Sequence, residues 1–177
     1  MLTRRKYYWK NMVTEIELKY FVTSEHTQEN ITQLFTEQQL SFTCVKKKLV
    51  NCYYDTANLD FRHHDMGLRV RGCDGQLEQT IKTAGVVIAG LHQRPEYNVD
   101  IEKNFPELAL FPTEIWQADQ RVEQLQASLI PLFSTDFIRI IWLVTLPSGS
   151  VVEVAFDLGN ISSDGRSVNI CEIELEL

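Results

Sequence analysis

Hydrophobic and polar positions alternate with a period of two along most of this chain, and helical spacing is confined to two stretches. Near the start, Glu15-Ile16-Glu17-Leu18-Lys19 sets charge against aliphatic residue by residue, and Glu172-Ile173-Glu174-Leu175-Glu176 repeats the pattern at the finish. Successive side chains of a strand point to opposite faces, so Glu15, Glu17 and Lys19 share one face while Ile16 and Leu18 share the other. The same alternation predicts strands at about 13–22, 42–55, 67–71, 76–82, 91–102, 136–146, 150–159 and 168–177. Asp74-Gly75 marks a tight hairpin between the third and fourth, and Pro147-Ser148-Gly149 joins the sixth and seventh. Ser24 is placed to cap a helix running to about Leu40, with Ile31, Leu34, Phe35 and Gln38 at helical spacing. Residues 57–65 read as a turn or short helix. The segment 105–133, with Pro106, Pro112 and the amphipathic run Arg121 to Leu129, is the second helical part.

Eight mostly antiparallel strands with two helical insertions define an α+β, mainly β, fold. The expectation is a closed eight-stranded antiparallel β-barrel with helices packed outside, because closure removes sheet edges. A chain of 177 residues suits one domain, placed at 13–177 behind a basic tail at 1–12, with Met12 an alternative start.

Applying the period of two strand by strand collects the charge on one side. That face carries Glu15, Glu17, Lys19, Arg69, Arg71, Glu78, Thr80, Lys82, Arg94, Glu96, Arg139, Glu153, Asp157, Glu172, Glu174 and Glu176. The opposite face carries Leu68, Val70, Ile81, Val99, Ile140, Trp142, Val154, Phe156, Ile173 and their like. On a single strand this is the ordinary division between solvent and core. A solvated face would use Lys, Gln, Ser and Thr freely, however, whereas here arginines and carboxylates are segregated by strand. Burying both signs is costly unless they are paired or meet a ligand. A water-filled tunnel avoids that cost, with its basic side for an anion and its acidic side for a metal.

Overall composition narrows the partners. A net charge of −7 argues against a general nucleic-acid binder. No apolar run approaches the ~20 residues of a membrane helix, and no apolar segment follows the basic N-terminus to make a signal peptide. Cys44, Cys52, Cys73 and Cys171 show no CxxC spacing and are expected as reduced thiols of a cytoplasmic protein.

Six cations, Lys19, Arg69, Arg71, Lys82, Arg94 and Arg139, exceed what one monophosphate needs and match a chain of phosphates. Glu15, Glu17 and Glu174 supply hard oxygen ligands for Mg²⁺ beside such a chain. Phosphoryl transfer to water then needs mainly positioning and charge neutralisation.

Taken in order, Glu15-x-Glu17-x-Lys19, Tyr53-Tyr54-Asp55-Thr56, Leu68-Arg69-Val70-Arg71, Thr80-Ile81-Lys82, Arg94-Pro95-Glu96, Arg139, Glu153-Val-Ala-Phe-Asp157 and the closing acidic strand resemble the CYTH superfamily, the triphosphate tunnel metalloenzymes, over about 13–177. Segments 90–98 and 131–137 most resemble the bacterial inorganic triphosphatases, in which the CYTH domain precedes a helical CHAD domain. The resemblance implies hydrolysis of inorganic triphosphate to pyrophosphate and phosphate, dependent on Mg²⁺ or Mn²⁺. It implies that the six cations bind phosphate oxygens and that Glu15, Glu17 and Glu174 hold a metal, with Glu172 and Glu176 nearby candidates. Glu78, Glu96, Glu153 and Asp157 would hold a second metal, orient water or balance the arginines. The family usually has a helix after the last acidic strand, which this chain is expected to lack.

Two other functions compete. An adenylate cyclase or thiamine triphosphatase of the same fold needs a ring-binding pocket, for which no aromatic residue is evident on the charged face; a non-catalytic polyphosphate- or nucleotide-binding module would tolerate loss of the acidic set. His26, His63, His64 and His92 lack metal-ligand spacing, and Asp55 and Thr56 are expected to shape a turn. Lys46-Lys47-Lys48 is expected as a solvated edge. Trp9, Trp116 and Trp142 are expected to pack.

Overall fold

Eight antiparallel strands close on themselves in the computed structural model, which describes residues 10–23, 27–88, 91–116 and 121–177. The strands are β1 (Lys10–Phe21), β2 (Ser41–Thr56), β3 (Gly67–Cys73), β4 (Gln76–Lys82), β5 (Val86–Ile88), β6 (Leu91–Ile101), β7 (Leu129–Thr145), β8 (Val151–Ser163) and β9 (Arg166–Glu176). The ring runs β1-β9-β8-β7-β2-β3-β4-β6 and is sealed by a β1–β6 pairing. A ninth, short strand, β5, was not expected. It continues the path of β4 along β6, with Lys82 opposite Glu96 and Val86 opposite Gln93, so it extends one wall and adds no position to the ring. The first strand begins three residues before the expected boundary.

Two Asp-Gly pairs turn the chain. Asp74 and Gly75 have φ of 50° and 79°, and Asp164 and Gly165 have 49° and 73°. Positive φ at both central positions suits the right-handed twist of the flanking strands. The second of these turns carries β8 to Ser163 and starts β9 at Arg166, beyond the expected 159 and before the expected 168. At Gly159, opposite Phe137 on β7, an added Cβ would lie 2.2 Å from the Asp136 carbonyl oxygen, so only glycine fits.

The main core lies outside the ring, between its apolar face and the helices, while a small buried cluster of Leu49, Phe137 and Ile170 reaches the lumen, which Phe137 and Ile170 line. α1 (Thr27–Glu37), expected from a Ser24 cap that falls outside the described residues, brings Ile31 and Phe35 onto one patch. There Phe35 meets Phe42 and the edge of Trp142, with Ile140, Val154 and Phe156 behind. A second patch, built on Leu68, Val70, Ile81 and Val99, is covered by α2 (Asp60–His63), two 3-10 turns (Leu108–Leu110 and Thr113–Ile115) and α3 (Val122–Ser128). Trp116 packs edge-on against Phe61 and Phe111. Burial of a large apolar side chain such as Phe61 contributes roughly 2–3 kcal/mol.

Polar staples fasten this cover. The fully buried Gln79 of β4 donates to the Glu107 carbonyl and accepts from the Glu107 N–H, while Gln126 of α3 does the same for Pro106 and Leu108. Asp55 accepts from the backbone N–H groups of Thr56, Phe61 and Arg62, which makes it the turn-shaping residue expected.

The expected helical part is shorter than read from the sequence. β7 begins at Leu129, inside the segment taken as helical to 133, and Pro131 lies within the strand opposite Tyr54. Tyr53 pairs with Phe133 and Tyr54 with Pro131, so the register slips between them; proline is tolerated in a sheet at such a bulge. No helix among the described residues is long and apolar enough to cross a membrane, and all four cysteines are free. Lys46, Lys47 and Lys48 are exposed, Lys48 pairing with Asp136.

Candidate active site

The lumen of the ring holds a cavity of about 400 Å³. β1 contributes Glu15, Glu17 and Lys19; β3 Arg69 and Arg71; β4 Thr80 and Lys82; β6 Arg94 and Glu96; β7 Arg139; β8 Asp157; and β9 Glu172, Glu174 and Glu176. All six cations expected at the site line it. Glu78 and Glu153 do not; Glu153 faces Glu176 across the β8–β9 pairing.

Opposite charges partition into two paired clusters. Arg139 forms a fork with Asp157, Nε to Oδ1 at 2.8 Å and a terminal nitrogen to Oδ2 at 2.6 Å, and also reaches Glu174. Lys19 sits 2.6 Å from Glu174 and 3.1 Å from Glu172. Across the lumen, Lys82 lies 2.6 Å from Glu15 and 3.0 Å from Glu96, and Arg94 lies 3.5 Å from Glu15 and 3.4 Å from Glu17. Glu96 is further held by a 2.7 Å bond from Asn98, itself bonded to Thr80.

Protonation preferences follow from these contacts. Burial works against the Glu174 carboxylate, but Arg139 and Lys19 outweigh it and bring its pKa down to about 2. Burial likewise opposes the charge of Glu96, and Lys82 and Arg69 reverse the effect, holding its carboxyl below the usual range. Asp157 is raised by burial despite its arginine partner. Glu176 is raised by burial and by Glu153 and Glu15 nearby. Burial, then Arg69 and Arg139 beside it, push Arg71 down to about 10.

Unspent donors remain on the basic side. The buried Nε of Arg94 makes no hydrogen bond but has Glu15 3.5 Å away, whereas Arg69 reaches a carboxylate only at 3.9 Å and its buried Nε has no hydrogen-bond partner. Desolvated donors of this kind are costly unless an anion meets them. Gly85, between β4 and β5, lets the chain pass close to Arg94; a Cβ there would lie 2.4 Å from the Arg94 Cβ.

Three carboxylates of the first cluster converge. Carboxylate oxygens of Asp157, Glu172 and Glu174 lie within 4.8 Å of one another. These are hard oxygen donors only, the set that a Mg²⁺-like cation takes, so they fit a divalent ion. Asp157 thus joins Glu172 and Glu174 more closely than the sequence suggested, while Glu15 and Glu17 stand with Lys82 and Arg94.

Several lumen residues were missed from sequence. Tyr53 and Phe133 stack with ring centroids 4.4 Å apart, and with Phe137 they line the cavity; this corrects the expectation that the charged face has no aromatic side chain. Thr135 also lines it, and Asn51 bonds into it. Tyr53 shares parity with Asn51, a signal available from the period of two, whereas Phe133 was hidden by the helical reading of its segment.

A closed antiparallel ring thus turns its main apolar face outward and lines its lumen with paired arginines, lysines and carboxylates. The chain belongs to the CYTH domain family, which matches residues 14–177, and membership implies dependence on a divalent metal. It is 39% identical over 175 residues to an inorganic triphosphatase of Haemophilus influenzae, covering 94% of this chain and 46% of that protein. The chain thus spans about half the length of that curated relative. Among solved structures it is similar to a Hippeastrum adenylyl cyclase candidate described as having a dominant triphosphatase activity, with TM-score 0.59 and 17% identity over 92% of this chain and 79% of the other. An adenylate cyclase candidate of Bacillus halodurans gives TM-score 0.56 and 23% identity over 94% and 81%. At these identities the structural likeness speaks to the fold.

Proposed function

We propose that the chain hydrolyses inorganic triphosphate to pyrophosphate and phosphate within the lumen, using Mg²⁺ or Mn²⁺. The observation that carries this reading is the convergence of Lys19, Arg69, Arg71, Lys82, Arg94 and Arg139 on one cavity, with Arg69 and Arg71 left largely unneutralised. A triphosphate presents several anionic oxygens along a short chain, and this many cations suit it better than a single phosphate. The similarity to the Haemophilus triphosphatase supports the same substrate.

Asp157, Glu172 and Glu174 would hold the divalent ion, with Glu15 and Glu17 as further candidates on the neighbouring strand β1. Its chemistry there is neutralisation of charge on phosphate oxygens. Arg69 and Arg71 bind and orient the chain, and Lys82 and Arg94 turn from their carboxylates toward it. Glu96, kept ionised by Lys82, Arg69 and Asn98, balances the arginines and is poorly suited to take a proton. The four free thiols agree with a cytoplasmic setting.

A second reading has one observation in its favour. The stacked Tyr53–Phe133 pair at the cavity wall offers a surface for a planar organic group, so an organic triphosphate such as ATP or thiamine triphosphate competes as substrate. Phosphate release from inorganic triphosphate, ATP and thiamine triphosphate, measured in parallel with Mg²⁺, Mn²⁺ or EDTA, separates the two. Rapid, EDTA-sensitive release from inorganic triphosphate alone is expected. Release from the organic substrates at a greater rate would replace the first reading with the second, and metal-independent release would sink both.

A further inference from the structure

Lumen cations differ in how they are held. Lys19, Lys82, Arg94 and Arg139 each lean on carboxylates, whereas Arg71 makes no ion pair among the described residues. Its Nε instead donates to Asn51 Oδ1 at 2.8 Å, and Asn51 Nδ2 donates to Thr135 Oγ1 at 2.8 Å. The three residues lie in one row across the sheet: Asn51 of β2 is paired with Thr135 of β7 on one side and with Arg71 of β3 on the other. Asn51 is fully buried, so no water competes for these bonds.

The choice of amide matters. An aspartate at position 51 could accept the same bond from Arg71 and would cancel its charge, but an amide accepts it without doing so. Thr135, by taking the Nδ2 hydrogen, turns the oxygen of the amide toward Arg71. With Nε engaged, the two terminal nitrogens of Arg71 are left for a fork onto an anion.

We infer that Asn51, anchored by Thr135, is a positioning residue that aims Arg71 at the bound anion while leaving its charge intact. Holding a guanidinium this way among Arg69 and Arg139 is unfavourable without an anion, and the bound polyanion relieves it. The effect on affinity rests on the triphosphate reading; the positioning itself does not.

Two measurements on the full chain test it. The first follows the Arg71 Nε–H resonance by NMR without ligand: it should be protected from solvent exchange in the wild type and in Thr135→Ser, and lose protection in Thr135→Val. The second titrates inorganic triphosphate calorimetrically in EDTA: Asn51→Asp should bind about tenfold more weakly, the scale of a lost charge-assisted contact, with a melting temperature equal to or above wild type. A residue that served packing alone would tolerate the isosteric Thr135→Val, with the Arg71 Nε–H still protected from exchange. Binding by Asn51→Asp within twofold of wild type, or an Arg71 Nε–H that exchanges freely in the wild type, overturns the inference. Should wild type take up no triphosphate, the substrate reading fails, and the resonance in wild type against Thr135→Val still decides the positioning.

Discussion

Glu15 answers two cations at once, Lys82 at 2.6 Å and Arg94 at 3.5 Å, so its charge restrains the very groups that would grip an anion. Removing that charge should leave binding in place, because Lys82 keeps Glu96 and Arg94 keeps Glu17. Glu15→Gln is therefore expected to lower turnover about 100-fold, as for loss of a preorganised charge at a reacting group, while calorimetric triphosphate affinity changes little. Arg69→Ala removes a donor with no strong internal partner and should weaken both binding and turnover by about 10- to 100-fold. Full metal-dependent activity in Glu15→Gln would remove that residue from the metal and catalytic assignment. Glu174 makes a separate prediction about acid. Its pKa stands at about 2 against an ordinary 4.5, so its contribution to stability is complete above about 4.5 and is lost as pH falls through about 2. The contribution is on the order of 3 kcal/mol. Urea midpoints measured in EDTA between pH 2 and 5 should fall less steeply in Glu174→Gln than in wild type, against the opposite slope from Asp157, whose carboxyl burial raises.

At the scale of elements, α2 depends on a residue outside itself. Leu59 precedes the helix in the left-handed region, at φ 57°, with no side-chain cap, and Asp55 supplies the missing acceptor from the end of β2. Asp55→Ala strands three N–H groups and should cost about 2–4 kcal/mol, read as a lower denaturant midpoint. The alternation of residues made the short hairpins legible: between Gly67 and Lys82 each side chain falls on the face its parity assigns, and Asp74-Gly75 fixes the register. Parity also placed all six cations on the lumen side. It failed where the chain breaks its own period. The bulge between Tyr53 and Tyr54 and the proline at 131 disguised the start of β7, and with it Phe133 and Thr135. Glu153 has the right parity but lies too far along β8 to line the cavity, a matter of strand tilt and length that alternation does not encode. The carboxylates that converge in space, Asp157 with Glu172 and Glu174, owe their meeting to the β8–β9 pairing, in which Asp157 faces Glu172.

For the whole molecule, the decisive feature is that β1 is paired on both sides, to β6 and to β9, so that Glu17 lies opposite both His92 and Glu176. Contacts that span nearly the entire sequence are slow to form, since the loop they close must be ordered before they stabilise it. The hairpins β3–β4 and β8–β9 can assemble locally, but the seam along β1 must come late. Glu15, Glu17 and Lys19 sit on that seam, so a partly folded chain has arginines on one piece and their carboxylate partners on another, and no enclosed lumen. Triphosphate would then have nothing to hold until the ring is sealed. Added during refolding, it should leave the folding rate nearly unchanged; added to the native protein, it should slow unfolding in proportion to occupancy. Stopped-flow kinetics with and without the ligand distinguish this from a site that forms early, in which case refolding itself would accelerate.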